Sequence, residues 1–151
     1  MALVSRDLVG GGGYQPMKVK AKDRGKLAEG KLVTYFGKLA LSQSTVFWRV
    51  PDAHAGSMQP APADFMLTHK HKFFIIECKE TQHDHRLPHG NFDPAQVARM
   101  RMWKMAGWEA IVLIYHRKLD KWRGYDVDHF IERTKGCWYF TDEPKTLEEL
   151  L

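Results

Sequence analysis

The dominant pattern in the chain is an apolar run that breaks abruptly into charge: Lys72-Phe73-Phe74-Ile75-Ile76-Glu77-Cys78-Lys79-Glu80. Consecutive aromatic and β-branched residues predict a strand covered on both faces. Upstream, Thr45–Val50 predicts another strand from the same kind of content, and Asp64-Phe65-Met66-Leu67 begins a third. The polar stretch Thr68–His71 joins that third strand to the long run as a hairpin. A first helix is predicted over Asp23–Leu41, with Val33, Phe36 and Ala40 as its buried stripe. Projecting that stripe back one turn reaches Glu29. A carboxylate there needs a cation, a metal or the favourable field of a helix N-terminus.

Beyond the long strand, Asp93-Pro94-Ala95-Gln96 opens a second helix, with Asp at the N-cap, Pro at the first helical position and Gln three residues after the cap. It closes at Ala106-Gly107. Ala110–Tyr115 is a further buried strand, and Arg123–Val127 is its neighbour across a hairpin that has Trp122 and Arg123 at its tip. Asp128 is placed to cap a short helix over His129–Arg133. Cys137–Phe140 predicts a short strand, and Thr146 with Glu149 has capping-box spacing for a last helical turn. This order gives an α/β fold in a single domain, a central mixed β-sheet flanked by helices. Pro51–Ala63, which carries Asp52, His54 and Ser57, is a loop.

Composition adds little to this picture and narrows the partners. The chain has 151 residues, enough for one domain at a hydrophobic fraction of 44%. We divide it into a Gly-rich, basic arm (1–22) and a folded domain (23–151). The Gly10–Gly13 run has neither a preceding strand nor a following Gly-Lys-Ser/Thr, so it is not a phosphate-cradling loop. Two cysteines outside any CxxC pair suit a reducing compartment, and no apolar run approaches the roughly 18 residues of a membrane span. The expectation is a soluble, cytoplasmic protein. The net charge of +5 agrees with a polyanionic partner without demonstrating one. Lys18, Lys20, Lys22, Arg24 and Lys26 are either a solvated arm or contacts to a DNA backbone.

The chemistry concentrates on the long strand. Alternation puts Phe73, Ile75, Glu77 and Lys79 on one face, so a Glu and a Lys emerge side by side from a run too apolar to be exposed. A turn centred on Lys70 and His71 sets Asp64 opposite Glu77, whereas a slip of one residue would turn Asp64 to the other face. In the first register two carboxylates lie within about 5 Å of each other, a repulsion that a cation between them relieves. Two carboxylates with waters and phosphate oxygens suit Mg²⁺ or Mn²⁺.

Pro62-Ala63-Asp64 followed by Glu77-Cys78-Lys79 resembles the PD-(D/E)xK nuclease signature, with Ala63 intervening between the usual Pro and Asp. Glu77-Cys78-Lys79-Glu80-Thr81, then Leu87-Pro88, Asn91-Phe92 and Gln96 with Met100, is similar to the RecU-type Holliday junction resolvases. The resemblance spans about Ala61–His116, in a chain shorter than is typical of that family. It implies a restriction-endonuclease-like core and a homodimeric, Mg²⁺-dependent enzyme that cuts four-way DNA junctions. Asp64, Glu77 and the backbone carbonyl of Cys78 would hold the metal. Lys79 would orient water or neutralise charge on the phosphate, and Gln96 would fix water or phosphate, unless it is only a helix cap. In the related archaeal resolvases a helix near the N-terminus supplies a further Glu, a part for which Glu29 is the candidate.

Alternatives of two other kinds stand beside this one: a nuclease of the same fold acting on ends, flaps or duplex, and a non-catalytic DNA-binding module with Lys79 in a structural ion pair. His83, Asp84, His85 and His89 could be zinc ligands but read better as a solvated loop. Met100, Met102, Trp103 and Met105 read as core or dimer contact. Arg99, Arg101 and Lys104 are surface charges or DNA contacts, with Arg99 the one assigned to DNA. Trp122 and Arg123 are either base-stacking residues or ordinary surface at a hairpin tip.

Overall fold

The long apolar run becomes the central strand of a five-stranded sheet. The computed structural model describes residues 25–42, 44–51, 60–133 and 135–151. In chain order the elements are α1 (Lys26–Ser42), β1 (Thr45–Arg49), β2 (Phe65–His69), β3 (Lys72–Thr81), β4 (Arg86–Pro88), α2 (Pro94–Met105), β5 (Glu109–His116), β6 (Lys121–Asp126), β7 (Cys137–Tyr139) and α3 (Leu147–Leu150). Short 3-10 turns cover His89–Asn91 and Val127–Phe130. The main sheet runs β1-β2-β3-β5-β6, and β4 with β7 forms a separate two-stranded sheet. β3 and β5 are parallel and every other pair is antiparallel. A parallel pair needs a crossover, and α2 supplies it.

The two faces of the sheet bury different clusters. On one, Ile75, Val112 and Ile114 pack with Phe92, Val97, Met100, Phe130 and Trp138 beneath α2. On the other, Phe65, Leu67, Ile76, Cys78 and Leu113 pack with Ala28, Leu32, Phe36 and Leu39 of α1. This corrects the phase expected for α1. Phe36 is buried as expected, but Val33 is only partly buried and Ala40 is exposed. The stripe that fits the sheet is 28-32-36-39, which leaves Glu29 at the rim.

Several further expectations change. Asp128 does not cap the turn after β6; Asp126 does, accepting from the Asp128 N–H at 2.9 Å. Met100 is core, whereas Met102 and Met105 are exposed. Trp122 and Arg123 are buried rather than at a hairpin tip, because the segment after β7 folds back and pairs Lys145 with Trp122 through two 2.7 Å backbone bonds. β4 lies inside a stretch read as loop, and β7 pairs with it rather than joining the main sheet. The arm, with Lys18, Lys20, Lys22 and Arg24, lies outside the described residues, as do the start of the predicted first helix and Asp52, His54 and Ser57. None of the helices among the described residues is long and apolar enough to cross a membrane.

Candidate active site

The β2–β3 hairpin has the register expected from its turn. Lys70 and His71 both take positive φ (50° and 64°), the two-residue turn whose twist matches the flanking strands. Phe65 then pairs with Ile76, and continuing that register sets Asp64 opposite Glu77. Strand pairing stops at Phe65, so the Asp64 side chain enters the gap, and its Oδ2 accepts the Cys78 N–H at 2.8 Å. The N–H and C=O of one strand residue point to the same edge. The Cys78 carbonyl is therefore directed to the edge that Asp64 occupies.

Glu77 is only 2% exposed. Its Oε1 lies 2.9 Å from Lys79 Nζ, and its Oε2 is buried with no hydrogen-bond partner among the described residues. Lys79 also donates to Gln96 Oε1 at 3.1 Å, with its ammonium 5.0 Å from the centre of the Phe92 ring. Gln96 thus reaches across from α2 to the site. The capping bond at that helix end is made instead by Asp93, which accepts from the Ala95 N–H at 2.8 Å.

Burial, and then the charge of Glu77, push the Asp64 carboxyl up to about 8, against the opposing pull of the Cys78 N–H and Lys79, with Glu29 adding to the rise. Glu29 is close enough to act on Asp64, yet its own carboxylate is held by the Arg49 guanidinium. Among the described residues no three His, Cys, Asp or Glu side chains already converge as a metal cage. The structure brings together Asp64, Glu77, Lys79 and Gln96, with Glu29 at the edge and turned to Arg49. Oxygen donors, a buried carboxylate oxygen without a partner and a second acid whose pKa is raised by burial and by that carboxylate all fit a hard divalent cation.

Of the residues assigned to DNA, Lys26 is exposed at the start of α1. Arg99 lies one turn beyond Gln96 on α2, its buried Nε without a partner among the described residues. Arg101 and Lys104 are instead paired with Asp128, and Lys104 also with Asp126. Two residues of this region escaped the reading of the sequence. Glu80 accepts from the Gly25 N–H at 2.6 Å and from Arg117 Nε at 3.3 Å, so it fastens the beginning of α1 to the end of β3. Arg49 follows Phe47 on the strand face turned to α1, and a cation in that position was the available signal for an acid opposite.

No protein-family model and no curated protein sequence matches the chain. Among solved structures it is similar to Hjc, a Holliday junction resolvase from the archaeal hyperthermophile Archaeoglobus fulgidus, with a TM-score of 0.58 and 21% identity over 83% of this chain and 98% of that one. A nuclease from a fusselovirus aligns at a TM-score of 0.46 and 14% identity, over 91% and 93% of the two chains. The first likeness fixes the architecture: the chain is a single mixed α/β domain with the fold of Hjc.

Proposed function

We propose that the chain is a divalent-metal-dependent endodeoxyribonuclease acting on branched DNA, with the four-way junction as its substrate. The observation that carries this reading is the pair of adjoining acids at the split between β2 and β3. Glu77 keeps a buried oxygen unbonded, and Asp64 has a carboxyl pushed up to about 8. A fold accepts such a pair at a cost in stability, and a bound cation removes that cost.

Asp64, Glu77 and the Cys78 carbonyl would hold Mg²⁺, with Mn²⁺ as a substitute, and Glu29 would join them on leaving Arg49. When bound, the ion supplies a lowered pKa for its water and charge stabilisation at the phosphate. Lys79 is held between Glu77 and Gln96, where it neutralises charge that builds on the phosphoryl oxygens. The Gln96 carbonyl oxygen already accepts from Lys79, so its amide N–H groups remain to orient water or a phosphate oxygen. Lys26, Arg99 and the basic residues of the arm would contact the DNA backbone.

Junction preference draws support from the motif after β3 and from the fold shared with a resolvase. Symmetric cutting of a junction needs two sites, and this domain offers one, so the working unit would be a homodimer. The test is cleavage of a labelled four-way junction in Mg²⁺ and in EDTA by wild type and Glu77→Gln. Paired nicks near the crossover, absent in EDTA and lost in a variant that still binds, are expected. Equal cutting of the separate duplex arms would move the substrate to other DNA. Salt-sensitive binding with no cleavage in any divalent ion would leave a non-catalytic DNA-binding module.

A further inference from the structure

The segment that follows β3 is fastened in an unusual way. Four consecutive carbonyls are each tied to the body of the domain: His83 O accepts from His116 Nδ1 at 2.8 Å, Asp84 O from Arg123 Nη1 at 2.7 Å, His85 O from the Phe140 N–H at 2.8 Å and Arg86 O from Thr81 Oγ1 at 3.1 Å. Two of these donors belong to one buried network, because Arg123 Nη1 also lies 3.0 Å from His116 Nε2. Thr81 Oγ1 further accepts the His83 N–H at 3.1 Å. With its carbonyls turned inward, the segment carries His83, His85 and Arg86 on a fixed backbone.

Around it the charge is positive. Burial, followed by the charges of Arg86, Lys118 and His85, holds the His83 ring below the ordinary histidine range, opposed by Asp84. Lys118, in the turn after β5, is exposed. Neither Arg86 nor Lys118 forms an ion pair among the described residues, whereas the nearby acids are mostly engaged: Glu80 with Arg117, Asp120 with Lys31 and Asp142 with Arg123. Asp84 is the exposed acid within the segment. Tyr139, half exposed, stands opposite Arg86 in the β4–β7 ladder with its ring 6.3 Å from that of His85. Arg86 and Lys118, unpaired among the described residues and together outweighing Asp84, stand beside a half-exposed aromatic ring on a backbone that needs no ordering, which is what a nucleic-acid backbone binds at low entropic cost.

We propose that His83, His85, Arg86, Lys118 and Tyr139 form a phosphate-binding ledge that grips the DNA strand beyond the cleavage site. The ledge rests on the nuclease reading above and gives it a second point of contact. Thr81 stands four residues past Glu77 on β3, about 13 Å at strand spacing. That distance exceeds the axial rise of about 3.4 Å per base several-fold, so the ledge would hold phosphates beyond the one that is cut rather than that phosphate itself.

The test measures binding of a labelled four-way junction in EDTA, across a salt series, by the full chain and by Arg86→Ala/Lys118→Ala. A control variant, Lys38→Ala/Lys72→Ala, removes the same charge from α1 and the far end of β3. The ledge variant should bind about tenfold more weakly, and its plot of log affinity against log salt should be shallower by about 2 units, one for each lost phosphate contact. The charge-conserving Arg86→Lys/Lys118→Arg should keep the wild-type slope. Equal losses in the control and ledge variants, or an unchanged slope in the ledge variant, would overturn the ledge while leaving the nuclease reading intact. Wild type that fails to bind DNA at low salt would overturn both.

Discussion

The Lys79 ammonium lies 2.9 Å from Glu77 Oε1, and both side chains are largely out of solvent. Breaking such a pair from one side leaves an uncompensated buried charge, which costs about 3–5 kcal/mol, whereas removing both partners costs far less. Lys79→Met should therefore destabilise the fold strongly in urea melts without metal. Glu77→Gln/Lys79→Met should recover most of the loss. Additive effects of the two substitutions would show that the carboxylate and ammonium do not depend on each other, and the picture of Lys79 held by Glu77 would go.

Asp64 gives a pH dependence of definite sign. Its carboxyl rises from the ordinary carboxylate range to about 8 in the folded chain, through burial first and Glu77 second. The folded state then binds the proton more tightly than the unfolded state, so stability falls as pH rises from about 4 towards 8. In EDTA the melting temperature should decline over that window, and Asp64→Asn should flatten the decline. A cation between the acids favours their charged forms, so the Mg²⁺-induced rise in melting temperature should be larger at pH 8.5 than at pH 6. A Mg²⁺ effect independent of pH would sever the link between Asp64 and the metal.

Much of this site was legible in the sequence because local rules fix it. The apolar run of β3 forces a buried strand, and a two-residue turn at Lys70 and His71 leaves one register, which carries Asp64 to Glu77. The cap and first turn of α2 follow from Asp93 and Pro94 in the same local way. The parts that escaped depend on partners far away in the chain. Glu80 acquires its role from Gly25 and Arg117. Trp122 and Arg123 are buried by a returning segment some twenty residues later, since Lys145 pairs with Trp122 and the Asp142 carbonyl accepts from Arg123. β4 is three residues long and includes a proline, so it forms only because β7 comes to it. The phase of α1 is not set by its own sequence, because Ala40 and Leu39 are both apolar, and only packing into the cluster that holds Phe65 and Leu67 selects Leu39.

His116 gives a second pH dependence, opposite in sense to that of Asp64. It is fully buried, and its Nδ1–H donates to the His83 carbonyl, so its Nε2 accepts from Arg123 and the ring is neutral. Burial, and then the Arg123 guanidinium, keep its pKa below the usual histidine value, although the His83 carbonyl pulls the other way. A base with a lowered folded pKa contributes stability that is present in full above its unfolded value, near 6.5, and is lost as pH falls from there through the folded value. The difference in denaturant midpoint between wild type and His116→Gln should shrink between pH 7 and pH 5. An unchanged slope in the variant would place the acid sensitivity elsewhere.

Met102 and Met105 are 68% and 86% exposed on the outer side of α2, in line with exposed Ala95 and Ala98 at helical spacing. Beside that helix, the sheet face opposite α1 leaves Val46 70%, Trp48 56% and Phe73 56% exposed, with Trp108 packed against Phe73 at 5.5 Å between ring centres. Met102, Met105, Val46, Trp48 and Phe73 together are an exposure of large apolar side chains of the kind that marks a protein–protein contact. One chain thus offers both a projecting apolar helix stripe and an open apolar floor, the two halves that a two-fold axis would bring together. The occupant expected is a second copy, which would provide the second active site that paired nicking requires. Wild type should run near twice 17.5 kDa in sedimentation at micromolar concentration, and Met102→Glu/Met105→Glu should run as a folded monomer. The monomer should still bind and nick a junction through its own acid pair, but its nicks should no longer be paired within one encounter. A wild-type monomer both on and off DNA would remove the dimer and with it the case for symmetric junction cutting, while the proposal of a metal at the acid pair would stand as before.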